Sequence, residues 1–333
     1  MRHLIIAFLF LIIASDQVKA QQDHMFTQYM FNSLLFNPAY AGSRDFMSIG
    51  LIHRSQWLGF QQGAPSTQAF SIHTPLRNER IGLGLTLLKD AIGPTDQVNV
   101  QASYAYRFPV GAFGHLALGL QGGVKNWRLN HNDLEQKDPN DPAFAEIGTE
   151  TLWLPNFGAG LFFSSPNVFF GVSVPHLLDP DLRRTQITSD TIKFAREYRH
   201  YYLTGGIAIE LSNNVIFRPS VLVKNVGLFG EFKEEGEGIT APTVFDVDAA
   251  FLFNNLLWIG VGLRSAFDGG DVPSSNDSID FWTQLHLQNG IRVGFAYDYI
   301  LSRVSRVSSG SIEAMIGYEF NYEKSKVVTP RYF

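Results

Sequence analysis

Segments of about ten residues in which apolar side chains alternate with polar or small ones recur from Ile81 to the C-terminus, and they restrict the possible folds sharply. Val98, Val100, Ala102, Tyr104, Tyr106 and Phe108 fall on one face of an extended strand, with Asn99, Gln101, Ser103, Ala105 and Arg107 on the other. Successive strand side chains point to opposite sides, so such a strand separates an oily medium from a polar one. With two further strand-like segments before Ile81, about fourteen are read as strands: 46–54, 66–74, 81–89, 98–108, 115–128, 153–163, 168–175, 200–211, 215–224, 243–253, 257–264, 279–288, 291–301 and 311–322. The pattern predicts an all-β fold, a transmembrane antiparallel β-barrel of about 14 strands.

The first twenty residues read as a signal peptide. Arg2 and His3 precede an apolar run from Leu4 to Ile13, and Val18-Lys19-Ala20 offers a small-residue cleavage site near Ala20. The run is too short to span a bilayer, and no later stretch approaches the ~18 apolar residues of a membrane helix. Any further crossing must be made by a closed barrel, because hydrocarbon offers no partners to an open sheet. The expected organisation is a signal peptide at 1–20, a periplasmic or plug segment at 21–45 and an outer-membrane barrel at 46–333.

Connection lengths give an independent sign. Short turns follow every second strand, the clearest being Asn289-Gly290, a strong two-residue hairpin signal. Between them lie longer connections at 129–152, 176–199, 225–242 and 265–278. Outer-membrane barrels pair short periplasmic turns with long extracellular loops. Charged residues make up 17% of the chain and aromatics 14%, which suits a wall with one apolar face and aromatic girdles.

Arg107, Lys125, Arg218, Lys224, Asp246, Asp248, Asp280, Arg292, Asp298, Glu313 and Glu319 fall on the polar faces. Facing lipid they would be costly, so they belong in the lumen. With both signs mixed, paired charges in a packed lumen are favoured over a polar path for a solute. Before the first strand, Phe26, Tyr29, Met30, Leu34 and Phe36 fall at roughly helical spacing, ending at Asn37-Pro38, where a helix should break. This segment either plugs the barrel or lies at its periplasmic mouth; the sequence admits both.

Two blocks carry a family resemblance. Gln28-Tyr29-Met30-Phe31-Asn32 followed by Asn37-Pro38-Ala39-Tyr40-Ala41-Gly42 is the first; Arg54-Ser55-Gln56-Trp57-Leu58-Gly59-Phe60 with Gly63-Ala64-Pro65 is the second. Gly82-Leu83-Gly84-Leu85, Asp90-Ala91-Ile92-Gly93-Pro94, Gly171 to Leu177 and the closing Pro330-Arg331-Tyr332-Phe333 extend it. Together they resemble the PorP/SprF family, outer-membrane proteins of the type IX secretion system of Bacteroidetes. The resemblance implies an accessory barrel needed for secretion or surface anchoring of a partner adhesin of the gliding or attachment type. The implied partners are the type IX translocon, periplasmic ring components, an exported adhesin with a C-terminal sorting domain, and the lipid bilayer. The acidic loop Glu231 to Gly238 departs from the family's pattern and points to a different client.

The residue chemistry of these blocks fits structural roles. Gly42, Gly59, Gly93, Pro38 and Pro94 suit turns and backbone conformations that other residues avoid. Asn37 can close a turn through its side chain. Trp57 and Phe60, in the first outer loop, either anchor at the interface, fold the loop back or dock a partner.

The enzyme reading is weak. None of the nine histidines lies in a His-Glu-x-x-His or Gly-x-Ser-x-Gly context; His131 near Asp133 is the one pairing worth testing. Calcium at Asp133, Glu135, Asp138, Asn140 and Asp141 lacks the ordered spacing of a calcium loop, and Asp268-Gly269-Gly270-Asp271 has less support. The absence of cysteine removes disulfides, thiolate metal sites and cysteine nucleophiles. A net charge of −5 gives no sign of nucleic-acid binding. The expected protein is non-catalytic, with no cofactor. The main rival is an outer-membrane channel for a small hydrophobic or polar solute.

Overall fold

The computed structural model describes residues 24–44, 46–60, 63–76, 79–111, 114–130, 133, 149–178, 199–226, 242–267 and 275–320. Fifteen strand segments form a single antiparallel sheet: β1 (Ser48–Ser55), β2 (Ser66–Pro75), β3 (Ile81–Ile92), β4 (Thr95–Val110), β5 (Gly114–Asn130), β6 (Thr149–Ser164), β7 (Val168–Val174), β8 (His200–Ile207), β9 (Ile209–Ser212), β10 (Val215–Val226), β11 (Thr243–Phe253), β12 (Leu257–Phe267), β13 (Ser275–His286), β14 (Ile291–Ile300) and β15 (Ser311–Glu319). β8 and β9 both pair with β10 and are separated only at Ala208. They form one interrupted stave, so the barrel has fourteen. β1 closes it by pairing along its whole length with β15, Ser48 opposite Glu319 and Ser55 opposite Ile312.

The alternation resolves as the two-sided wall requires. On β4, Asn99, Gln101, Ser103, Ala105 and Arg107 are buried inward, while Ala102, Tyr104 and Tyr106 are exposed outward. All eleven charged residues assigned to the lumen are buried. Several strands run further than their sequence patterns. β3 and β4 continue to a two-residue turn at Gly93-Pro94, where Gly93 takes φ +55, so Asp90 to Ile92 and Thr95 to Gln97 are wall and not loop. Cross-strand pairing from Lys89–Val98 to Ile92–Thr95 holds these residues extended although their apolar alternation has lapsed. β6 begins at Thr149 and pairs fully with β5, four residues before its apolar pattern starts.

The segment before β1 lies inside the barrel, which decides between the two positions left open by the sequence. It is not the helix its spacing suggested. Three single 3-10 turns, Tyr29–Phe31, Ser33–Leu35 and Pro38–Tyr40, replace it. Asn32 and Asn37, at φ −139 and −135, break the backbone between turns. Nearly every side chain from Phe26 to Ala41 is buried, because wall surrounds the segment on all sides. A helix would have kept its backbone at arm's length; here the backbone itself touches the wall. Pro38 opens the third turn at its first position, where the missing N–H costs nothing.

Candidate functional site

The functional candidates fall into two assemblies: the plug seated in the lumen, and a ledge on the rim at the long-connection end. The first contains the Asn37–Gly42 block. The Asn37 carboxamide oxygen accepts from Ala39 N at 2.9 Å, closing the turn, and its nitrogen donates to Leu161 O at 2.9 Å. Tyr40 sits edge-on to Phe162 and His73, with ring centroids 5.2 and 5.3 Å away. Gly42, at φ +65, donates to His73 Nδ1 at 3.3 Å and accepts from Arg107.

The wall is glycine where this segment approaches it most closely. A Cβ at Gly82 would overlap the carbonyl of Ala41, one at Gly119 the backbone of Ala39, and one at Gly160 the Asn37 carboxamide oxygen. One at Gly294 would overlap the Gln28 side chain. Four strands therefore give up a side chain so that the plug can lie against their backbones. This accounts for the Gly82 and Gly119 positions in the pattern, which a merely polar lumen does not explain.

Two further contacts anchor the plug. Glu313 on β15 accepts from the backbone amides of Thr27 at 2.8 Å and Gln28 at 2.9 Å, one to each carboxylate oxygen. Arg54 joins Glu313 at 3.3 Å and also pairs with Asp298, which accepts from Thr27 Oγ1 at 2.6 Å. Arg264 extends this network to Asp246 at 2.5 Å and to Asp280 at 3.6 Å. Near the short-turn end, the Arg218 guanidinium lies 4.2 Å from the Trp258 ring centroid and 4.8 Å from that of Phe31. A cation over aromatic faces is attracted by their quadrupoles, which ties plug to wall here too. Arg44, in the chain leading to β1, pairs with Glu319.

Arg44, Arg54 and Arg264 were absent from the expected lumen set. Arg54 follows Gly50 and Ile52 on the inner face of β1, where contact with the plug has removed the polar pattern. Its pairing with Thr67 and Glu313 would have been visible only with the register in hand.

The second assembly gathers the other family block. Gln56 donates its backbone N–H to Pro65 O at 2.9 Å, and Leu58 N donates to Gly310 O at 2.8 Å. Ser309 N returns a bond to Leu58 O at 2.8 Å, joining the β1–β2 loop to the β14–β15 loop. Gly93 N donates to Gly63 O at 3.0 Å, joining it to the β3–β4 turn as well. Trp57 takes a left-handed backbone, φ 55, and its ring meets Phe60 edge-on at 6.1 Å. Gly59, at φ +89, completes the turn, and Phe60 stays 43% exposed. The structure thus brings Gln56, Trp57, Gly59, Phe60, Gly93 and Pro94 onto one braced ledge, away from the Asn37–Gly42 seat.

Asp133 is described, but His131, Glu135, Asp138, Asn140 and Asp141 lie outside the described residues, as do Asp268 to Asp271 and the loop 231–238. Among the described residues no three His, Asp or Glu side chains stand together to hold a metal ion.

The family model described as type IX secretion system membrane protein PorP/SprF matches residues 18–318. The chain belongs to the PorP/SprF family. No curated protein matches it in sequence. Among solved structures, the CymD monoaromatic hydrocarbon channel is similar at TM-score 0.52 and 13% identity, over 86% of this chain and 92% of that one. The Ralstonia pickettii toluene transporter TbuX is similar at 0.51 and 12%, over 86% and 92%. At such identity the likeness is one of fold: this PorP/SprF protein is an outer-membrane β-barrel.

Proposed function

We propose that this PorP/SprF barrel is a non-catalytic accessory of type IX secretion, needed for the export or surface anchoring of an adhesin of the gliding or attachment type. Its other partners would be the translocon and periplasmic ring. Family membership supports the system. The observation that carries the mechanical reading is the filled lumen: the plug's backbone lies on wall glycines and its amides on a buried carboxylate. A cavity beside it, lined by His24, Phe26, Phe36, Asn99, Gln101 and Tyr202, measures about 30 Å³, room for two or three waters at roughly 10–15 Å³ each. A barrel filled in this way works through its surfaces, and the ledge of Trp57 and Phe60 is one that the fold braces, through Gly63, Ser309 and Gly310. The client would engage that rim from outside, while the short turns would face the periplasmic partners.

The rival channel reading has likeness of fold to hydrocarbon channels behind it, and fold does not fix function. Affinity purification of the tagged protein from native outer membranes, in mild detergent, separates the two. Co-recovery of a large surface protein or of the periplasmic ring supports the accessory role. Recovery of the barrel alone, from cells shown to be making its candidate client, moves the choice to a channel.

A further inference from the structure

Register across β1 to β5 separates two kinds of outward-facing row. Leu51 pairs with Phe70, Phe70 with Leu87, Leu87 with Val100 and Val100 with Val124, a continuous apolar row across five strands. One step nearer the long-connection rim, His53 pairs with Gln68 and Gln68 with Lys89. One step further still, Asp96 on β4 lies opposite Arg128 on β5. His53, Gln68, Lys89 and Arg128 are all exposed on the outer wall.

This cationic patch is local. On the opposite wall Val247, Leu263, Phe267 and Tyr299, 43 to 55% exposed, share the outward face near the rim with Asn225, Thr243, Ser265 and Asp277, and among the described residues of β10 to β14 no Lys or Arg faces outward. Lys89 has no ion-pair partner among the described residues. Arg128 donates from Nε to Asn126 Oδ1 at 2.7 Å and makes no ion pair with Asp96 across the register. Two cations that make no ion pair among the described residues therefore stand on a lipid-facing wall within three residues of their strand ends, Lys89 one row and Arg128 two rows above the apolar row.

That vertical order, acyl-sized apolar surface below and cations above, matches a lipid with an anionic head. We propose that the β1–β5 face binds a phosphate-bearing glycolipid of the outer leaflet, with Lys89 and Arg128 on its phosphates and Leu51, Phe70, Leu87, Val100 and Val124 against its acyl chains. His53 and Gln68 supply hydrogen bonds to the sugar or phosphate oxygens. Asp96, opposite Arg128, leaves the patch of Lys89, Arg128 and Asp96 with a net charge of +1. The assignment to the outer leaflet rests on the long connections facing outward.

The test is native mass spectrometry of the full chain in detergent, titrated separately with diphosphoryl lipid A, dephosphorylated lipid A and phosphatidylglycerol. The expected result is preferential binding of diphosphoryl lipid A. Binding should fall about thirtyfold in the Lys89→Gln/Arg128→Gln double variant, from the loss of two membrane-surface cations. The charge-conserving Lys89→Arg/Arg128→Lys variant should retain it, which separates loss of charge from loss of fold. Arg306→Gln, at the same end outside the patch, should bind like the unaltered protein. Equal binding by the charge-removed variant, or equal binding of dephosphorylated lipid A or phosphatidylglycerol, would overturn the proposal.

Discussion

Ala39 lies with its backbone directly against the Cα of Gly119, in a gap with no room for a side chain at that wall position. Gly82 meets the Ala41 backbone in the same way, and Gly160 and Gly294 make room for the side chains of Asn37 and Gln28, so plug and wall form one interlocked body.

Gly119→Val should therefore unseat the plug. Overpacking of a tight interior costs about 1–3 kcal/mol, and more where backbone cannot yield. The expected readout is faster proteolysis of the segment 24–44 and a lower unfolding temperature in detergent. Gly122→Ala is the matched control. Its Cβ would meet only the Phe157 ring at an ordinary 3.6 Å, so it should behave as the unaltered chain.

Glu313→Ala leaves Arg54 with one carboxylate partner instead of two and orphans the amides of Thr27 and Gln28. Breaking a buried ionic contact of this kind costs about 3–5 kcal/mol. Glu313→Gln keeps an acceptor but not the charge and should lose distinctly less. Denaturant unfolding of both variants checks the order; equal losses would mean that the charge on Glu313 carries the whole effect and its acceptor role to the two amides is negligible.

If the plug fills the lumen in the membrane as it does here, the intact barrel should show no steady conductance in planar bilayers. Deleting residues 24–36 should produce one. A steady current through the intact protein would favour the solute-channel reading.

Trp57→Ala and Phe60→Ala test the ledge. Aromatic anchors at interfaces typically contribute at least ~2 kcal/mol, so co-purification of the exported partner should fall roughly thirtyfold. Barrel abundance and heat-modifiable migration should not change. Unchanged co-purification in both variants would remove the ledge from the proposed contact.

The parts of the wall that face lipid on one side and polar groups on the other were readable from alternation alone. On β4, water-loving and oil-loving residues are sorted by the environment each meets. Alternation fades where the inner face meets the plug, because wall residues there must be small or apolar. Gly50 and Ile52 on β1, Ala69 on β2, Trp258 on β12 and Trp282 on β13 all point inward without being polar. The plug's own conformation was illegible for the related reason that it has no solvent face. Its apolar spacing records contacts on several sides, so reading it as a helical stripe misassigned it. The Trp57–Phe60 ledge was visible as a motif, but its bracing by Ser309 and Gly310 is a contact between loops some 250 positions apart.

Glu313, Arg54 and Gly294 belong to β15, β1 and β14, so the plug's upper anchor straddles the seam where the first and last staves meet. The earliest part of the barrel to be synthesised is thus gripped by the latest. Until β15 zips onto β1, half of this grip does not exist; once it has, the segment is enclosed by a hydrogen-bonded ring. Closing the cylinder and capturing its occupant are a single assembly event. A lesion in either should surface as failure at the same step, with chains stalled as open sheets before insertion is complete.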